Sequence, residues 1–93
     1  MKAVTISQNG GPQVMKLEDI NLGDPTSNEV LIKNEAIGLN YIDTYHRSGL
    51  YPVDLPSGIG IEGAGKIEKI GPGVKDFKIG DKVAYASMPI GSY

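Results

Sequence analysis

Glycine and proline break this chain at short intervals, and that spacing limits the possible folds more than any other feature. Asn9-Gly10-Gly11-Pro12, the loop Asn21 to Asn28, the two prolines of Leu50 to Ser57, and Gly71-Pro72-Gly73 each interrupt it. Glycine supplies positive φ in tight turns, and proline cannot donate to a ladder. Long helices do not fit between such breaks. Many short strands and tight turns do, as in a small barrel or sandwich.

The segments between the breaks read accordingly. Lys2 to Gln8 alternates, with Val4 and Ile6 on one side and Thr5 and Ser7 on the other, and is expected to be a strand. Val14 to Ile20 sets Met15 and Leu17 opposite Lys16 and Glu18, a second strand. Glu29 to Leu39, Ile59 to Ile70 and Asp81 to Ala86 read as further strands, the second of them interrupted by glycine. Asn40 to Ser48 is the one convincing helix. Asn40 suits the N-cap, Asp43 the capping-box position three residues on, and Gly49 the left-handed C-terminal cap. Asp43 and Arg47 have i,i+4 spacing and are expected to pair. His46, the lone histidine, is expected to be exposed near the helix C-terminus. Strands, one short helix, then strands again define a mainly β domain, without βαβ alternation.

At 93 residues the chain holds one domain, spanning residues 1–93, with a modest core. A net charge of -2 argues against a nucleic-acid arm or a polybasic membrane patch. The absence of cysteine excludes disulfides, thiolate zinc sites and cysteine nucleophiles. No apolar run reaches membrane-spanning length, and the first residues do not read as a signal peptide, so a cytoplasmic location is expected.

Gly58-Ile59-Gly60-Ile61-Glu62-Gly63 matches G-x-G-x-x-G, the dinucleotide fingerprint, and Asp81 follows about 20 residues later. The context is wrong for that motif. Pro52 to Pro56 makes a poor preceding strand, and Gly71-Pro72-Gly73 stops Ala64 to Ile70 before a helix could point its N-terminus at a pyrophosphate. Small residues that let a strand pack closely or bend explain the stretch better.

The same residues carry a resemblance. Gly60-Ile61-Glu62-Gly63-Ala64-Gly65, then Gly71 and Val74, then Gly80-Asp81-Lys82-Val83, resemble the pattern G-H-E-x-x-G, G-x-x-V, G-D-x-V of medium-chain alcohol dehydrogenases. The resemblance implies a GroES-like, partly open β-barrel with one short helix, incomplete at its C-terminal side. Two positions depart from the zinc enzymes. Ile61 stands in place of the histidine ligand, and Asn40 in place of the cysteine ligand of G-x-C-x-x-D. Neither suits Zn²⁺, so no metal site is expected. Glu62 remains, with a structural hydrogen bond as its default role.

Asn40-Tyr41-Ile42-Asp43-Thr44-Tyr45-His46-Arg47-Ser48-Gly49-Leu50-Tyr51 resembles the N-x-x-D-x-Y-x-R-x-G-x-Y segment of zinc-free NADPH:quinone oxidoreductases, the ζ-crystallin-like branch of the superfamily. In that family asparagine and tyrosine of this segment line the cleft beside the nicotinamide. Carried over, Tyr45 and Tyr51 are candidate catalytic residues, and Asn40 and Ile42 candidate cofactor contacts. The implied activity is metal-free hydride transfer from NADPH to a quinone. A simpler reading stands beside each assignment. Asn40 could serve only as a cap, and Tyr41, Tyr45 and Tyr51 as core or rim aromatics.

The family's complete subunit also has a Rossmann domain, for which these 93 residues contain no βαβ unit. The chain alone is therefore expected to be inactive and, with its partner-facing surfaces uncovered, to form homo-oligomers. A non-enzymatic remnant or an oligomerising β-domain module is the alternative.

Overall fold

The structure, a computed structural model, describes residues 1–87 and 89–93. Its strands are β1 (Lys2–Ile6), β2 (Met15–Asp19), β3 (Val30–Gly38), β4 (Ser57–Gly58), β5 (Glu62–Ile70) and β6 (Lys82–Ala86). One helix, α1 (Tyr41–Ser48), lies between β3 and β4. All strand pairs are antiparallel. They form two three-stranded sheets, β2-β1-β4 and β3-β5-β6, which remain open and are not closed into a barrel. The mainly β architecture with a single short helix is as the sequence implies. Its radius of gyration is 13.8 Å, against about 12 Å for a compact chain of this length.

The core is small because the sheets stay open. Ile6, Val14 and Ile59 form its buried cluster, and Tyr93 packs against them. Val14 reaches this position through a 3-10 turn at Pro12–Val14. Pro12 opens that turn without wasting a donor, and Val14 N donates to Gly11 O at 3.1 Å. The turn takes Val14 out of the second strand, which starts at Met15.

Simple alternation fails on the first hairpin. In β1, the central strand, the most buried residues are Ala3 and Ile6, which alternation puts on opposite faces of the sheet. Edge strand β2 is exposed along its whole length, and Leu17 is 69% exposed.

The glycine-rich stretch leads into a strand. Gly58 ends β4, Ile59 enters the core, and β5 runs from Glu62 with no helix after Gly63. The glycines of β5 allow close approach of β3. A Cβ on Gly65 would lie 2.0 Å from Lys33 O and 2.8 Å from Asn34 Cα. The β3–β5 register shifts between Asn34 and Ala36, so the irregularity and the tight contact coincide.

Candidate active-site wall

Helix α1 is held at both ends. Asn40 adopts an extended conformation before the first turn, and Asn40 N donates to Asp43 Oδ2 at 3.0 Å. That bond is the acidic half of the expected capping box, and it places a carboxylate at the positive end of the helix. At the other end Gly49 has φ +92 and donates its N–H to Tyr45 O at 3.0 Å. The turn after β1 completes the C-terminal cap. Asn9 Nδ2 donates to His46 O and Arg47 O, each at 3.3 Å, and Gly10 N donates to Arg47 O at 3.0 Å.

Two expectations for α1 need correction. Asp43 and Arg47 do not form an ion pair among the described residues. Arg47 Nε donates instead to Gly10 O at 3.1 Å. Asp43 faces inward and is taken up by Asn40 and by the Tyr93 hydroxyl. His46 is not exposed but buried, with 7% of its surface accessible. It follows Asp43 by three residues and shares its inward face.

The outward side of α1 carries the aromatics. Tyr45 and Tyr51 pack edge-on with ring centroids 5.1 Å apart, a favoured geometry for aromatic pairs. The Tyr51 backbone N–H also donates to Tyr45 O at 3.2 Å. Tyr41 adds a third ring 6.0 Å from Tyr45 and is an exposed rim residue. Tyr51 remains half exposed, and the buried His46 ring stands 6.5 Å behind it. The structure therefore brings Tyr45 and Tyr51 together. Ile42 is partly buried in the first turn of the same helix.

Asn40 belongs to a second centre. Its Nδ2 donates to Glu62 Oε1 at 3.2 Å. Glu62 opens β5 opposite Gly38, and a Cβ on Gly38 would lie only 1.6 Å from Glu62 Oε2. A side chain there would push the Glu62 carboxylate out of this pose. Glu62 lines an open groove of about 460 Å³ with Ala36, Ile37, Ala64 and Tyr85. Reading the sequence strand by strand missed this groove. Its signal is the small residues at alternate positions, Ala36 and Gly38 on β3, Ala84 and Ala86 on β6.

Tyr93 was also missed. Its hydroxyl donates to Asp43 Oδ2, and burial, reinforced by the Asp43 carboxylate, pushes its pKa well above the ordinary tyrosine range.

The tyrosine faces and the small-residue groove offer flat and apolar surfaces. Among the described residues a pyrophosphate has no comparable seat. The G-x-G-x-x-G stretch opens a strand, and the Asp43 carboxylate already fills the N-terminus of α1. Among the described residues no group of three or more His, Asp or Glu could hold a metal ion. None of the described helices is long and apolar enough to cross a membrane.

Two open antiparallel sheets, a capped helix and this glycine register define the class: the chain belongs to the alcohol dehydrogenase GroES-like domain family, whose model matches residues 26–92. Within it, the chain is similar to quinone oxidoreductases. It is 52% identical over 93 residues to quinone oxidoreductase of Pseudomonas aeruginosa, covering 99% of this chain and 29% of that protein. It is 48% identical over 91 residues to quinone oxidoreductase 1 of Escherichia coli, covering 97% and 28%. The crystal structure of Escherichia coli quinone oxidoreductase complexed with NADPH superposes with a TM-score of 0.95 at 47% identity, over 98% of this chain and 28% of that one. The chain thus spans less than a third of the relatives it matches.

Proposed function

We propose that this domain is the substrate-side wall of the active-site cleft in an NADPH-dependent quinone oxidoreductase. The reaction proceeds without zinc, and the nucleotide phosphates are held by a separate Rossmann domain of a larger subunit. The observation that carries this reading is the packed pair of partly buried Tyr45, on a helix capped at both ends, and half-exposed Tyr51 just beyond it. The 52% identity to a quinone oxidoreductase supports it.

The roles follow from exposure and chemistry. The Tyr45 and Tyr51 rings offer flat surfaces to a planar acceptor. Tyr51 is open enough for its hydroxyl to donate to a quinone oxygen as negative charge develops there. Asn40, restrained by Glu62, and Ile42 flank the nicotinamide and fix its orientation. Bound NADPH supplies the hydride. An electron-poor quinone carbonyl needs no Lewis acid, which fits an Asn40–Glu62 pair in the region where zinc enzymes bind metal. Water reaches the half-exposed Tyr51, so a proton released there is replaced from solvent.

In the complete subunit, Tyr51→Phe and Asn40→Ala should each lower kcat/KM for quinones about tenfold, or about 1.4 kcal/mol. Circular dichroism should show the fold unchanged. Wild-type kinetics in both variants across several quinones would remove these residues from the cleft.

A further inference from the structure

We infer that Tyr93 is a positioning residue whose hydroxyl, acting through Asp43, sets the pose of Asn40 and of the Glu62 carboxylate beside the groove. This rests on the proposed place of Asn40 in the cleft.

A continuous line of hydrogen bonds supports it. The Tyr93 hydroxyl donates to Asp43 Oδ2. The same oxygen accepts from Asn40 N at 3.0 Å. Asn40 Nδ2 then donates to Glu62 Oε1 at 3.2 Å. Asp43 is buried, and its other oxygen, Oδ1, has no partner among the described residues. The carboxylate is therefore aimed entirely through Oδ2. Removing the hydroxyl from that oxygen removes one of the two donors that orient it.

Tyr93 is itself fixed from several sides. Tyr93 N donates to Ile59 O at 3.0 Å, and Val4 N donates to Tyr93 O at 3.3 Å. Gly91 N and Ser92 N both donate to Gly60 O, at 2.8 and 3.2 Å. The ring packs on Ile6, Val14 and Ile59. Gly60 has φ +100, and a Cβ there would lie 2.5 Å from Tyr93 Cδ1, so a side chain at that position would displace the ring. The hydroxyl is thus referenced to the rigid core, and through Asp43 it transmits that reference to the first turn of α1. Its raised pKa keeps it a donor throughout the physiological range.

The test is Tyr93→Phe in the complete subunit, which keeps the ring and removes only the hydroxyl. Selective ¹⁵N-asparagine labelling reads the Asn40 side-chain amide directly. The amide resonances should move in Tyr93→Phe, and kcat with a quinone should fall about fivefold with KM within about twofold. Tyr93→Leu removes the ring as well and calibrates the loss due to packing, read from thermal unfolding. An unmoved Asn40 amide, or an unchanged kcat, overturns the proposal. So does a Tyr93→Phe variant that melts as low as Tyr93→Leu while its Asn40 amide stays in place, because Tyr93 is then only a core anchor. A wild-type subunit that fails to reduce quinones defeats the functional reading instead, and the amide shift still decides the positioning role.

Discussion

Gly65→Ala should lower the stability of the domain by about 3 kcal/mol, at the upper end for an overpacked site. The new methyl would sit 2.0 Å from Lys33 O and 2.8 Å from Asn34 Cα. Both are backbone atoms of β3, so no side chain can rotate away. Relief requires the β3–β5 ladder to open where its register is already irregular. A domain of this size has only about 5 to 14 kcal/mol in total, and the loss corresponds to a fall in Tm of about 15 °C. Thermal melting by circular dichroism measures it. Lys66→Ala, at the exposed next position, is the control and should change Tm little. A wild-type Tm for Gly65→Ala would mean that the two strands do not pack as described.

The second large effect concerns the 93 residues by themselves. Mixed with NADPH and a quinone, they should oxidise no NADPH above the uncatalysed rate. The described residues hold no seat for a pyrophosphate, and one wall of a cleft buries too little of a small ligand to bind it well. The same preparation should self-associate. Leu39 is 84% exposed, Leu17 69%, Ile79 66% and Leu50 64%, while the buried cluster holds only Ile6, Val14 and Ile59. Among the described strands, the outer edges of β2, β4, β3 and β6 have no ladder partner and add strand-pairing surface. Light scattering should report dimers or larger species. Quinone-dependent turnover by the pure chain would refute the division of labour between two domains. A strictly monomeric, highly soluble chain would refute the exposure argument alone.

The sequence made much of this fold readable because its signals are local. Alternation marked β1, β2 and β3, and Asn40, Asp43 and Gly49 marked both ends of α1. The decoy fingerprint was resolved by asking what must follow it, and β5 follows. What failed depended on contacts distant in the chain. Arg47 has Asp43 within helical reach, but the carbonyl of Gly10 is better placed once the β1 turn docks on α1. His46 reads as a polar surface residue until that docking buries it. Tyr45 and Tyr51 came from the resemblance of one segment to that of zinc-free quinone oxidoreductases, and the structure brings their rings together. It gave no hint of Tyr93, whose partner Asp43 lies in the middle of the chain and whose seat is formed by Ile59 and Gly60.

The cap supplied by Asn9 and Gly10 has a practical consequence. Exposed Asn-Gly turns are ordinarily the first choice for inserting an epitope tag or a cleavage site, because little depends on them. Here the turn satisfies the terminal carbonyls of His46 and Arg47, and its Gly10 carbonyl holds the Arg47 side chain. An insertion at this point would uncap the helix that bears Tyr45. Under the proposed function, the damage would then surface as altered kinetics of the complete subunit rather than as a harmless change of surface. Tags belong elsewhere, for example at exposed Leu22-Gly23, where a side chain added at Gly23 would meet nothing within 4 Å.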